Sequence, residues 1–349
     1  MTVATETVRA LTFRRPGVAE VGPRAAPTAG RGETLVAPRY IGICATDIEL
    51  RDGTHPYFAM GVARFPLQPG HEWSGVVVAS DDPNLPRGTP VVADPEVSCG
   101  RPDCEWCTTG RIPWCPDRQE IGCRGHLDGA AAELVSLPTR NLHRIPDGVD
   151  LRDAVLAEPA ATVFGGLHRV GPVHGRRALV IGAGTIGLIA AQVMRSEGAD
   201  VTVAVHRPGR EAALAGFETI VVEHADDDPL PAGFPVVMNA AGSASAIALG
   251  IRALGNGGQL ALLGVPAAPA DHVDVASILH KDATIHGVLN YSSGGPGLFD
   301  RALAALAAGV IDGSAVIDGV IPLEDADAAF ARVNDADRAR PKVLLGITA

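Results

Sequence analysis

Ala178-Leu179-Val180-Ile181-Gly182-Ala183-Gly184-Thr185-Ile186-Gly187 is the stretch that decides the fold class of this chain. Ala178–Ile181 is a short apolar run that reads as a strand. It passes directly into Gly182-Ala183-Gly184-Thr185-Ile186-Gly187, a GxGxxG pattern, and Thr185–Glu197 reads as a helix stopped at Gly198. Alone the glycine pattern is weak. Between a strand and a helix it is the fingerprint of a dinucleotide site. Gly182 permits the tight turn, Gly184 lets backbone approach a pyrophosphate at the positive end of the helix dipole, and Gly187 lets helix and strand pack closely. Further strands are predicted at Asp200–Val205, Thr219–Val222, Pro235–Ala240, Gln259–Val265 and Ala283–Leu289, with helices at Val155–Val170, Ala244–Leu254 and Phe299–Ala308. This alternation predicts an α/β unit built on a doubly wound parallel sheet.

The ribose of such a cofactor belongs at the end of the next strand, at Val205-His206-Arg207. An NAD site usually has Asp or Glu there to hold the 2′-hydroxyl. This chain has His206 and Arg207, with Arg210 after a turn, which favours the 2′-phosphate of NADP over NAD. Gly264 and Val265, at the end of the strand predicted over Gln259–Val265, complete the candidate cofactor set with Thr185 and Ile186.

Toward the N-terminus the character changes at Leu151. Residues 1 to about 150 are rich in Pro and Gly and carry short β-type runs at Val8–Phe13, Thr34–Cys44, Trp73–Ser80 and Pro90–Asp94, which predicts a β-rich, barrel-like unit. All six cysteines lie between Cys44 and Cys123. Cys99, Cys104, Cys107 and Cys115 have the spacing Cys-x4-Cys-x2-Cys-x7-Cys, which suggests a closed tetrahedral zinc site that stabilises its lobe and does no chemistry. Free thiols, or a redox pair at Cys104 and Cys107, are the alternative; the thioredoxin-like context a redox pair needs is absent. A second set of metal-ligand types, Cys44 with His71-Glu72, follows predicted strands of the same unit. A catalytic zinc needs about three protein ligands and an open position. The third ligand is either Glu72 or Glu158, the latter in Ala157-Glu158-Pro159.

The bulk numbers limit the alternatives. A chain of 349 residues is longer than one core usually serves, so two domains are expected. Hydrophobic residues make up 46% and charged residues 20%, a globular rather than disordered balance. The net charge of −11 argues against nucleic acid or an anionic membrane as partner. No signal peptide is visible, and the longest mostly apolar stretch, Ala178 to Ala191, is too short to span a bilayer. A cytoplasmic location with reduced thiols is the expectation.

Together, Gly42-Ile43-Cys44-Ala45-Thr46-Asp47, Pro69-Gly70-His71-Glu72, the four-cysteine lobe, Glu158-Pro159 and Gly182–Gly187 resemble the zinc-dependent medium-chain dehydrogenase/reductase family over essentially the whole chain. The resemblance implies a discontinuous GroES-like catalytic domain, residues 1–157 and 293–349, around a Rossmann domain, residues 158–292. It implies Cys44 and His71 as catalytic zinc ligands, contacts of Glu72 and Glu158 with the zinc or its water, and a homodimer or homotetramer. Glu at position 158 resembles the polyol and sugar dehydrogenase branch. Thr46-Asp47-Ile48-Glu49 resembles glucose dehydrogenases, and His71-Glu72-Trp73-Ser74-Gly75 resembles aminocyclitol dehydrogenases. The chain departs from the family at Ala45, usually Gly, and at the four residues between Cys99 and Cys104, usually two. It also departs at Glu49, where many members have a proton-relaying His. Cys123 and His126 fall at substrate-pocket positions.

A metal site and a nicotinamide site in one chain point to reversible oxidation of a secondary alcohol to a ketone. The metal lowers the pKa of the substrate hydroxyl. Thr46, two residues after Cys44, accepts the proton. Asp47 either orients nearby backbone or acts on substrate. The rival readings are a zinc-free quinone or enoyl reductase on the same fold, and a non-catalytic NADPH-binding protein.

Overall fold

A computed structural model describes residues 7–210, 212–223, 230–265, 273–290, 297–335 and 337–347. The chain divides into two compact units: Met1–Glu158 with Ile317–Ala336 and Lys342–Ala349, and Pro159–Val316 with Asp337–Pro341.

The second unit contains a six-stranded sheet, parallel throughout. Its spatial order is Glu218–Val221, Asp200–Val205, Arg177–Ile181, Phe234–Asn239, Leu254–Leu262, Thr284–Gly287. The first three strands run outward one way, and the next three restart on the other side of Arg177–Ile181. That reversal is the switch point where open α/β sheets bind ligands. Central strands covered on both faces need apolar residues at every position, and Ala178, Leu179, Val180 and Ile181 are all buried. The fingerprint helix is Thr185–Ser196, and its stop is Gly198 in left-handed backbone at φ 86°.

The domain limits differ from those expected. Leu298–Ala307 and Gly313–Val316, read as part of the catalytic domain, belong to the second unit, whereas Glu158 belongs to the first. The reason lies in packing on the fingerprint helix. Phe299, Ala302 and Leu303 are buried, the Asp312 amide donates to Gln192 Oε1 at 2.7 Å, and Arg301 pairs with Glu197 at 3.2 Å. Strand limits also move: Leu254–Leu262 starts earlier than expected and leaves Gly264 and Val265 beyond its end.

The first unit is β-rich. A seven-stranded sheet runs Ile317–Pro322, Lys342–Gly346, Glu33–Gly42, Glu72–Ser80, Pro90–Ala93, Leu142–Arg144, with Val135–Pro138 also on Glu33–Gly42. Apart from the parallel pair Ile317–Pro322 and Lys342–Gly346, the pairings are antiparallel. Leu344 pairs with Gly42 and Leu345 with Ile41, so a late segment of chain closes the sheet beside Cys44. The core around Leu11, Phe13, Ile41, Trp73, Val77 and Phe330 fills the space under it.

Candidate metal centre and cofactor site

The expected strand over Thr34–Cys44 ends at Gly42, and Cys44 becomes the N-cap of a helix, Ala45–Asp52. Its amide donates to Asp47 Oδ2 at 2.9 Å. Asp47 therefore orients backbone, one of the two roles open to it. Its other oxygen lies 3.4 Å from His71 Nδ1, which leaves Nε2 as the nitrogen available to a metal. Strand pairing does the rest: Gly42 sits opposite Glu72, and a side chain at Gly42 would strike Glu72 Oε2 at 2.5 Å. The missing side chain is the space the carboxylate occupies.

The sulfur, nitrogen and oxygen donors of Cys44, His71 and Glu72 all lie within 4.8 Å of one another. Glu158, in the first turn of the helix Ala157–Val170, stands outside that group. It still feels the same site. Burial first, and then the charge of Glu72, push its carboxyl up to about 7, while His71 and Lys342 act the other way. Thr46 is half-buried on the helix Cys44 caps.

The residues fit a cation. His71 Nδ1 and Asp47 Oδ1 are buried without a well-formed hydrogen bond. Burial alone would drive His71 toward its neutral form. The neighbouring Cys123 and Asp47 outweigh burial and hold its pKa well above the ordinary value. A pocket that favours positive charge on a buried imidazole, beside a thiol and a carboxylate, suits zinc.

Sequence reasoning missed Lys342. This buried lysine donates to Glu72 Oε2 at 2.5 Å and to the Ile43 carbonyl at 3.2 Å. Burial lowers its pKa, but the Glu72 carboxylate and then Cys44 more than restore it. Only the rarity of lysine in this chain, two residues, could have drawn attention to it. Of the two pocket candidates, Cys123 is buried; burial pushes its thiol up to about 12, and the neighbouring His71 acts the other way. His126 is exposed and lies 3.3 Å from Arg64.

The four lobe cysteines also converge. Cys99 and Cys107 sulfurs are 3.7 Å apart, as are those of Cys104 and Cys115, and all four lie within 4.8 Å. A tetrahedron with zinc–sulfur bonds of about 2.3 Å has edges of about 3.8 Å, so the set is of the right size. Gly100, in left-handed backbone at φ 76°, takes up the longer Cys99–Cys104 spacing. The Cys107 amide is the chief cause that lowers the Cys104 thiol to about 6. Burial pushes Cys107 up to about 12.

At the second unit's fingerprint the three glycines differ as their roles require. Gly182 has φ 99°. A side chain at Gly187 would lie 1.9 Å from the Gly182 carbonyl, whereas one at Gly184 would meet nothing within 4 Å. The second glycine thus faces open space, where a pyrophosphate can approach. The helix Thr185–Ser196, with Thr185 and Ile186 in its first turn, has no side chain capping its N-terminal amides. His206 and Arg207 are exposed after Asp200–Val205. Arg210 reaches the loop itself, donating to the Ala183 carbonyl at 2.5 Å. A side chain at Gly264 would lie 2.8 Å from the Gly242 amide nitrogen, and Val265 is exposed.

Residues 30–147 match the family described as alcohol dehydrogenase GroES-like domain, and residues 185–308 match zinc-binding dehydrogenase. L-threonine 3-dehydrogenase of Streptomyces coelicolor is 33% identical over 93% of this chain and 94% of its own. The chain belongs to the zinc-dependent alcohol dehydrogenase family. Sorbitol dehydrogenase of Halalkalibacterium halodurans is 27% identical over 91% of this chain and 93% of its own. A zinc-binding dehydrogenase of Sinorhizobium meliloti, solved bound to NADP, superposes with a TM-score of 0.86 at 28% identity, over 98% of this chain and 100% of that one. This protein is a zinc-dependent, nicotinamide-linked alcohol oxidoreductase, which sets aside the zinc-free reductase and the non-catalytic binding protein. Among the described residues no helix of this dehydrogenase is long and apolar enough to cross a membrane.

Proposed function

We propose that this dehydrogenase interconverts a secondary alcohol of the polyol, sugar or cyclitol type and its ketone, with NADP preferred over NAD. The observation that carries the reaction is the convergence of Cys44, His71 and Glu72 within 4.8 Å. Zinc held there supplies a Lewis acid that makes the substrate hydroxyl more acidic. Cys44 and His71 would hold it, with Glu72 as third ligand, and Glu158 would be the second carboxyl that feels the same site. Asp47 holds the His71 ring and the Cys44 amide in place. Thr46 takes the hydroxyl proton. The second zinc, on Cys99, Cys104, Cys107 and Cys115, is structural. A screen of polyols, sugars and cyclitols with both cofactors tests the substrate class; no turnover of any would overturn it. Six free cysteines fit a reducing, cytoplasmic compartment. The outer strand Thr284–Gly287, near the exposed Val275 and Leu279, supports a homodimer or homotetramer.

Glu158 gives a direct test of the ligand assignment. Glu158→Gln is expected to cut turnover about tenfold or more with little change in cofactor affinity, because a neutral amide cannot take or give the proton of a nearby water. Unchanged turnover would remove Glu158 from the reaction.

NADP preference rests on charge. His206 stands where a carboxylate would repel a 2′-phosphate, and Arg210 is drawn to the fingerprint loop. A charge-assisted contact is worth about 1.5–3 kcal/mol, one to two orders of magnitude in affinity. Arg207→Ala and Arg210→Ala should weaken NADP binding by that factor and NAD binding little. Equal or tighter binding of NAD by the unaltered protein, in titrations with both, would overturn the preference.

A further inference from the structure

Donors that suit a metal burden a fold before the metal arrives, because a buried charge without a partner is costly. Glu72 is such a donor, 1% exposed. The structure sets a cation of the chain's own against it. Lys342 is 2% exposed, and its Nζ donates to Glu72 Oε2 at 2.5 Å and to the Ile43 carbonyl at 3.2 Å. Lysine is almost never this buried unless paired. Lys281, the chain's other lysine, is half-buried and meets the backbone carbonyls of Ile251 and Arg252 instead.

Backbone pairing fixes the arrangement. Ile43 directly precedes Cys44, and its amide donates to the Val343 carbonyl at 3.0 Å. Both main-chain polar groups of Ile43 are thus met by the same stretch, one by the Val343 backbone and one by the Lys342 side chain. Leu344 stands opposite Gly42, and Gly42 opposite Glu72. Three neighbouring strands therefore bring the ammonium to the carboxylate. A side chain at Gly42 would strike the same oxygen that Lys342 bonds. An ammonium on Oε2 and a metal drawn to the same carboxylate have the same sign of charge, and they compete for one negative group.

We propose that Lys342 is a counter-cation built into the metal centre: it neutralises Glu72 before zinc binds and opposes the zinc afterwards. The fold then survives without the ion, and the ion stays exchangeable. This rests on the metal-centre reading above. Lys342 is a positioning residue, since it acts on the metal through Glu72 and through the Ile43 carbonyl beside Cys44. Its removal has two effects of opposite sign. The zinc-free protein is left with an unpaired buried carboxylate and loses stability. The zinc-loaded protein is relieved of a like charge and holds its ion more tightly. Damage to packing would loosen the ion; removal of a competing charge tightens it.

Two variants test this. Lys342→Met keeps most of the stem and removes the charge. Glu72→Gln with Lys342→Met removes both charges of the pair. The readouts are zinc content during titration with a chelator, and the melting temperature once the metal-centre zinc alone has been removed. That zinc is identified as the one missing from His71→Ala. Lys342→Met is expected to need at least about tenfold more chelator to give it up. Freed of it, Lys342→Met should melt about 10 °C below the unaltered protein treated likewise. The double variant should regain most of that loss. If Lys342→Met does not fold without zinc, a folded double variant still supports the charge role. Zinc held no more tightly by Lys342→Met, an unchanged zinc-free melting temperature, or a double variant as unstable as Lys342→Met would overturn the proposal. If His71→Ala keeps both zincs, the metal-centre reading itself fails, whatever Lys342→Met shows.

Discussion

His71→Ala is expected to lower turnover at least about a thousandfold while the protein stays folded. A thousandfold loss corresponds to about 4 kcal/mol of lost transition-state stabilisation, the scale set by losing a metal that polarises the reacting oxygen. The imidazole is one of three convergent donors, and Cys44 and Glu72 alone leave too few ligands to hold zinc tightly. The fold should survive because the pairing of Glu33–Gly42 with Glu72–Ser80 does not depend on this side chain. Removing the ring leaves a cavity, at a cost of about 1–3 kcal/mol. Elemental analysis should find one zinc per chain instead of two. Retained turnover, or loss of both zincs, would contradict the assignment.

Cys107→Ser should have the opposite profile: one zinc lost, and a large fall in stability. The apparent binding free energy of a structural zinc is about 10–16 kcal/mol, as large as the whole stability of a typical domain. Cys99 to Cys115 contains two helices of three or four residues, Glu105–Thr108 and Ile112–Trp114, with the rings of Trp106 and Trp114 edge-on at 5.6 Å, a small scaffold to which a metal would add much of the stability. What it anchors is costly to disturb. Arg118, three residues past Cys115, is buried between Glu96 at 3.1 Å and Glu120 at 2.9 Å, and breaking such a buried pair costs about 3–5 kcal/mol. A loss of several kcal/mol lowers the melting temperature by about 10 °C or more. Two zincs and an unchanged melting temperature would refute the structural role.

The parts of this molecule legible in sequence are those whose causes are local. The strand before Gly182 is apolar at every buried position, and the three glycines answer to a turn, an open face and a near-collision with a carbonyl, all within six residues. The cysteine quartet is legible for the same reason. Cys44 as a helix cap was not, because the signal is a cysteine with Asp47 three residues on, an unusual pairing for a cap. The choice between Glu72 and Glu158 could not be read either. Both are acidic and both follow plausible motifs; strand register, which puts Glu72 opposite Gly42, is what brings one of them among the other donors. Lys342 is the extreme case. It reaches Glu72 only because Lys342–Gly346 pairs beside Glu33–Gly42, a long-range contact without a local pattern. The limit expected at residue 293 and the end of the second unit at Val316 part for a like reason, since the helix Leu298–Ala307 is assigned by what it packs on.

That closing strand also sets an order of events during synthesis. Glu33–Gly42 emerges from the ribosome about 300 residues before its partner Lys342–Gly346. At about 5–20 residues per second this is a delay of roughly 15–60 seconds. The continuous stretch Pro159–Val316 can collapse within that interval, but the first unit waits with one sheet edge unpaired and Glu72 lacking its cation. On the proposed ligand assignment, metal loading at Cys44, His71 and Glu72 would be tied to the last part of translation, whereas the cysteine lobe, complete by Cys115, would be able to capture its ion while most of the chain is still unmade.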